Sequence, residues 1–63
     1  MINLKNIRQM AGKTEFETAQ ILHRSLRHYR DIENGKRILN AYHANKLAEY
    51  FNTTVAEITK KID

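Results

Sequence analysis

The chain has no cysteine, no proline and no tryptophan among its 63 residues, and only two glycines. The absence of cysteine excludes a disulfide framework and a thiolate metal site. The longest apolar runs are two residues, which is too short to span a bilayer. The first ten residues are interrupted by Asn, Lys, Arg and Gln and lack the apolar segment of a signal peptide. We therefore expect a cytoplasmic protein that does not contact a membrane.

The length of the chain limits it to one domain, residues 1–63. A domain of this size buries only about 60% of the surface that its unfolded chain exposes. Large catalytic folds, such as dinucleotide-binding sheets and eight-stranded barrels, need far more chain and are excluded. The fold must depend on packing alone, with help from a partner if the core is too small.

Positive charge is concentrated in one part of the sequence. Eleven Lys and Arg against seven Asp and Glu give a net charge of +4, and residues 24–37 alone account for +3. A local basic patch suits a polyanion such as nucleic acid. An ordinary solvated surface has the same composition, so charge alone leaves both interpretations open.

Helix-capping residues divide the chain into five predicted helices. Five residues are of the types that cap helix N-termini: Asn3, Thr14, Ser25, Asn40 and Thr54. Thr14 and Thr54 are each followed three residues later by Glu, the spacing of a capping box. Gly12, Asn34–Gly35 and Asn52 can end helices, because glycine accepts a positive φ without steric cost and asparagine tolerates it. The predicted fold class is all-α, with no strand.

The apolar residues recur at helical spacing and so predict the buried faces. The predicted inward residues are Leu4, Ile7 and Ala11 in the first helix, Ala44, Leu47, Ala48 and Phe51 in the fourth, and Val55, Ile58 and Ile62 in the fifth.

Several motifs are specific only when taken together. They are Leu4–Arg8 with Gly12, then Thr14, Glu17, Ala19, Leu22 and Ser25, then Tyr29 with Ile32–Gly35, and finally the segment from Leu47 to Ile58. Over residues 3–60 this arrangement resembles the Cro/repressor-type (XRE-like) helix-turn-helix domains of phages and bacteria. The resemblance implies a compact, five-helix, lambda-repressor-like domain. Its motif would span about residues 15–33 and its recognition helix about 25–33, with Ser25 capping the helix that enters the DNA major groove.

Five residues depart from the pattern of that family. His23 stands where glycine is usual in a left-handed turn, at a cost of about 1 kcal/mol. Lys13 replaces an apolar residue, Phe16 a polar one and Thr18 a common leucine, so Phe16 either fills the space that they leave or is exposed. Glu15 replaces a neutral amide that touches phosphate in relatives, and a carboxylate there would repel the DNA backbone.

The resemblance places Leu26, Arg27 and Asp31 towards the base edges. The Arg27 guanidinium suits guanine O6 and N7, although an i,i+4 ion pair with Asp31 is an alternative and the two roles are compatible. Asp31 could also accept from a cytosine amino group. Leu26 could contact a thymine methyl or lie in the helix interface.

Four further residues are expected to contact the DNA backbone. Lys36 and Arg37 follow the recognition helix, where relatives contact phosphate, and such contacts set affinity rather than sequence preference. His28 on the helix could donate to phosphate, with a plain surface position as the alternative. Arg24 in the turn and Asn6 or Arg8 on the first helix are weaker candidates. Arg8 on the first helix is as readily explained by an ion pair with Glu33.

Catalysis has little support in the sequence. A metal site requires ligands on one face, whereas His23 and His28 are five residues apart and His43 lies on another predicted helix. Ser25 and His28 are one turn apart without a third orienting group, and capping already explains Ser25. We expect no enzyme activity, no metal and no cofactor.

Two functions remain. The first is a sequence-specific DNA-binding regulator, a repressor of the phage or mobile-element type in the bacterial cytoplasm and nucleoid. It would read a two-fold operator on double-stranded DNA as a homodimer. The dimer contact would use the last helix, Phe16 or the loop Ile38–Tyr42, with Ile38 and Leu39 preferred. The second is a protein-binding module on the same fold, an anti-repressor or an inhibitor of a host protein, with weak or no DNA binding.

Overall fold

Five α-helices make up the fold in a computed structural model that describes residues 2–62. They are α1 (Leu4–Met10), α2 (Glu15–Ile21), α3 (Leu26–Glu33), α4 (Ala41–Tyr50) and α5 (Val55–Thr59). The described residues contain no β-strand longer than an isolated bridge. The predicted all-α class is therefore confirmed. None of the helices in this part of the chain is long and apolar enough to cross a membrane.

Side-chain caps begin four of the five helices. The side-chain oxygens of Thr14, Ser25, Asn40 and Thr54 each accept a hydrogen bond from the backbone N–H three residues later. At α2 the Glu17 carboxylate also accepts from the Thr14 N–H at 2.9 Å, which completes the predicted capping box. The second predicted box is only half formed, because the return bond from the Thr54 N–H to Glu57 is absent among the described residues.

Asn3 precedes α1 but does not cap it. Its φ of −75° and ψ of 3° differ from the extended conformation of the other caps, and its side chain makes no capping bond. The Asn3 side-chain nitrogen donates instead to the Glu57 carbonyl oxygen at 3.3 Å, and its oxygen accepts from Asn6 at 3.1 Å. Asn3 therefore joins the start of the fold to its last helix.

Left-handed residues end the helices where the sequence predicted them. Gly12 and Gly35 have φ of 71° and 79°, and Asn52 has φ of 53°. His23 has φ of 54°, so the turn between α2 and α3 keeps the left-handed geometry without the usual glycine. An L side chain at this φ is strained, and the strain lies inside the α2–α3 unit.

Eight buried apolar residues form one core to which every helix contributes: Leu4, Ala19, Leu22, Tyr29, Ile32, Leu47, Ala48 and Ile58. Ala19 on α2 is 1% exposed, as expected of a small residue where α2 packs against α3. Thr18 is fully buried and satisfies its hydroxyl by donating to the Thr14 carbonyl oxygen at 3.0 Å. Phe16 does not fill the space beside it, because 58% of Phe16 is exposed.

The segment after α5 differs from the prediction. The helix ends at Thr59, so the half-buried Ile62 is not part of a helical face. Ile2 and Lys61 instead form an isolated antiparallel bridge, and the Asn3 N–H donates to the Lys60 carbonyl oxygen at 2.8 Å. These backbone bonds replace the last helical turn and tie the two ends of the described chain together.

Candidate nucleic-acid interface

The outer face of α3 is set by what its inner face buries. Tyr29, Ile32 and Glu33 are all buried, and each lies three or four residues from another of the three. Because the helix turns by about 100° per residue, Arg27 and Asp31 lie on the opposite side. Ser25 fixes where this helix begins, since its Oγ accepts from the His28 N–H at 3.1 Å. The sequence therefore leaves a charged face of α3 towards solvent.

A buried polar network holds the C-terminal end of α3 against α1. The Arg8 Nε lies 2.5 Å from Glu33 Oε2, and Arg8 also donates to the Lys13 carbonyl oxygen at 2.8 Å. The Tyr29 hydroxyl donates to the same Glu33 oxygen at 2.5 Å. The hydrogen bond to Glu33 raises the pKa of Arg8 against the opposing effect of burial. The pKa of Tyr29 is raised mainly by burial and, to a smaller extent, by the hydrogen bond to Glu33. The ion pair between Arg8 and Glu33, which was the alternative to a DNA-backbone contact of Arg8, is therefore formed in the structure.

The three predicted base-reading residues share the N-terminal and middle turns of α3 but differ in exposure. Arg27 is exposed, whereas Leu26 and Asp31 are half-buried. The ion pair between Arg27 and Asp31, the alternative to base readout, does not form among the described residues. Asp31 Oδ2 lies 3.9 Å from the Arg37 Nε instead, because the chain beyond α3 turns back towards it. Arg27 therefore forms no ion pair within residues 2–62.

The four predicted backbone-contact residues surround that face. The backbone N–H groups of Lys36 and Arg37 both donate to the Asp31 carbonyl oxygen, at 2.8 and 3.2 Å, so the loop folds over the end of α3. Both of these side chains are exposed. Arg24 is exposed in the turn before α3, and His28 is half-buried on its flank.

Arg30 is a basic residue of this face that the assignment by motif left out. The Arg30 Nε donates to Glu15 Oε1 at 3.2 Å, which joins α3 to the first residue of α2. The two residues are fifteen apart in sequence, so no helical spacing reveals the pair. The signal that was available is the position of Arg30 on α3, one turn after Leu26 and adjacent to the outer face.

His43 is a buried residue near Arg24 and His28. It lies in the first turn of α4 and is 5% exposed. Burial lowers the pKa of His43 below its usual value, and the nearby Arg24, His28 and Lys46 lower it further. Within residues 2–62, no three His, Asp or Glu side chains come together as metal ligands.

Two helices joined by a tight turn, the second with a charged outer face, define a helix-turn-helix domain. The family model described as helix-turn-helix matches residues 4–58. The chain belongs to this family, of the XRE type, which confirms the resemblance seen in the sequence. The family consists of DNA-binding regulators and not of enzymes. Searches of curated proteins and of solved structures found no significant match.

Proposed function

We propose that this chain is a sequence-specific transcriptional repressor of the phage or mobile-element type, acting in the bacterial cytoplasm and nucleoid. It folds as a single domain over residues 1–63 and reads a two-fold operator as a homodimer. The observation that carries the proposal is the exposed Arg27, which has no ion-pair partner within the described residues and stands at the centre of the outer face of α3.

Base readout is assigned to Arg27, Leu26 and Asp31. Arg27 has five donors in a planar fork that matches O6 and N7 of guanine in the major groove. Leu26 is half-buried, which leaves part of its side chain to contact a thymine methyl. Asp31 lies beside Arg37, so its charge is partly compensated and it can accept from a cytosine amino group without an isolated carboxylate near phosphate.

Contacts with the DNA backbone are assigned to Arg24, His28, Lys36 and Arg37. Lys36 and Arg37 are exposed and anchored through their backbone to the last turn of α3, so docking of that helix would carry them to the phosphates. Such contacts orient the helix in the groove and supply affinity for any sequence.

A homodimer is proposed because one domain of this size covers few base pairs. Two recognition helices about 34 Å apart read two half-sites on one face of the DNA. Ile38 is the preferred contact, since it is 93% exposed in the α3–α4 loop. Leu39 is less suited to the contact because it is half-buried and packs against the core. Ala41 and Tyr42, which were expected in the loop, belong to α4.

A protein-binding module is the second candidate, favoured by the exposure of Phe16. An aromatic side chain that is 58% exposed at the start of α2 could bind a protein partner. An anti-repressor or an inhibitor of a host protein would use such a surface.

Selection of bound sites from random duplex DNA, with sedimentation of the same sample, tests both candidates. Recovery of a palindrome with half-sites about one helical turn apart, together with a dimer in solution, supports the repressor. Failure to enrich any site, with a sedimenting monomer, contradicts it and favours the protein-binding module.

A further inference from the structure

The ion pair between Glu15 and Arg30 uses only part of the Arg30 guanidinium. Arg30 Nε donates to Glu15 Oε1 at 3.2 Å, whereas the two terminal nitrogens donate to no group within residues 2–62. The Arg30 side chain is 54% exposed and the Glu15 side chain 31%. A guanidinium held at Nε has its outer edge turned away from the holding carboxylate, and this edge is the one that binds phosphate with two parallel bonds.

The position of Arg30 places that edge on the α2 side of the recognition helix. Arg30 follows Arg27 by three residues, so the two side chains lie about 60° apart around the helix axis. Arg30 lies on the side of α3 that faces the start of α2. In a helix-turn-helix the first helix of the motif crosses the phosphate backbone while the second enters the groove. The Glu15–Arg30 pair joins these two helices at their outer surface, where a phosphate of the bound strand would pass.

We propose that Arg30 is a further DNA-backbone contact and that Glu15 is the residue that positions it. Glu15 holds the Arg30 Nε, and the two terminal nitrogens bind a phosphate oxygen pair. The proposal rests on the proposed DNA-binding function and adds to it a residue and a mechanism. It also accounts for the carboxylate at residue 15, which reaches the backbone through Arg30 instead of repelling it.

Two variants of Glu15 with equal charge separate positioning from electrostatic repulsion. Glu15→Gln retains an oxygen that can accept from the Arg30 Nε, whereas Glu15→Ala removes the acceptor. Each is measured in the wild-type and Arg30→Ala backgrounds by titration of random duplex DNA over a series of salt concentrations. Glu49→Gln, an exposed glutamate on α4, controls for the loss of one negative charge elsewhere.

Positioning predicts that Glu15→Gln binds DNA about two- to fivefold more tightly than Glu15→Ala, the range of one hydrogen bond. It also predicts that this difference disappears in the Arg30→Ala background. Arg30→Ala alone lowers affinity for all sequences and makes the salt dependence shallower by about 0.9 in log–log slope. Thermal unfolding of every variant checks that the folded fraction is unchanged under the conditions of the titration.

Three results would overturn the inference. If Glu15→Gln and Glu15→Ala bind equally, Glu15 acts only through its charge. If their difference persists in the Arg30→Ala background, residue 15 contacts phosphate by itself. If Arg30→Ala retains the wild-type affinity and slope, Arg30 is not a backbone contact. A wild-type chain that binds no DNA at any salt concentration contradicts the proposed function itself, which is a different outcome from these three.

Discussion

Arg8 on α1 and Glu33 at the end of α3 form an ion pair that is almost completely buried, with 9% and 2% of their side chains exposed. The Glu33 carboxylate also accepts a hydrogen bond from the Tyr29 hydroxyl. A terminal nitrogen of the Arg8 guanidinium donates to the Lys13 carbonyl oxygen. Four groups from three parts of the chain therefore satisfy one another inside the core. This network fixes the recognition helix to the helix that precedes the motif.

Glu33→Ala should be strongly destabilising, because it leaves the Arg8 guanidinium buried without its carboxylate. The expected loss is about 3–5 kcal/mol in the free energy of unfolding, measured by urea denaturation. This is comparable with the whole stability of so small a domain. Glu15→Ala breaks the exposed pair with Arg30 and should cost less than about 1 kcal/mol. Equal losses for the two variants would contradict the structural role of the buried network.

Ala19→Leu should overpack the contact between α2 and α3. Ala19 is 1% exposed, so the added side chain has no solvent to enter. We expect a loss of about 1–3 kcal/mol in the free energy of unfolding. Gln20→Leu, at the exposed neighbouring position, is the matched control and should change stability much less. A melting temperature equal to that of the wild type would contradict the close packing of α2 against α3 at Ala19.

Acid should weaken the fold through His43. The folded chain binds a proton at His43 less readily than the unfolded chain, because burial, Arg24, His28 and Lys46 lower the pKa in the folded state. The free energy of unfolding should therefore fall as the pH drops below about 6.5, the usual pKa of histidine. The free energy of unfolding of His43→Gln should depend less on pH between pH 7 and 5. The difference between the two proteins at pH 8, where the histidine is neutral in both states, gives the effect of the substitution on packing. Parallel curves for the two proteins would exclude His43 as the cause.

Arg27→Ala and Lys36→Ala should affect DNA binding in different ways. Loss of a base contact at Arg27 should weaken the operator by about 1–3 kcal/mol and leave random DNA almost unchanged at equal salt. Loss of a phosphate contact at Lys36 should weaken both DNAs alike and reduce the salt slope by about one. Arg37→Ala should reduce the slope likewise and weaken both DNAs further, because it leaves the Asp31 carboxylate without its nearby guanidinium. If Arg27→Ala weakens both DNAs equally, Arg27 contacts phosphate and α3 is docked differently.

Ile38→Asp should disrupt the homodimer, because a charge would replace the apolar side chain that the interface buries. Burial of an isoleucine contributes about 1.5–3 kcal/mol, so the dimer dissociation constant should rise about tenfold or more in sedimentation equilibrium. Met10→Asp introduces the same charge at a residue that is 88% exposed at the end of α1 and should leave the dimer intact. If Met10→Asp or Phe16→Asp dissociates the dimer and Ile38→Asp does not, the interface lies elsewhere.

Much of the fold was predictable because its signals are local. Thr14, Ser25 and Asn40 cap helices through hydrogen bonds that span three residues, and Gly12 and Gly35 end them through their own φ. Such features depend on neighbours in sequence, which the sequence contains in full. The unformed cap at Asn3 is the exception, since its side-chain nitrogen donates to the distant Glu57 carbonyl oxygen and its side-chain oxygen accepts from the Asn6 side chain.

The five helices, most of the core and the basic character of residues 24–37 follow from local features of the amino-acid sequence. The pairing of acids with bases depends on how the helices pack: Asp31 lies beside Arg37 rather than Arg27, and Glu15 pairs with Arg30 fifteen residues away. The tertiary structure also decides that Leu39 packs inward while Ile38 is exposed. The physical reason is that ion pairs and the direction of loop side chains depend on where separate helices meet, and helical periodicity describes only the face of each helix.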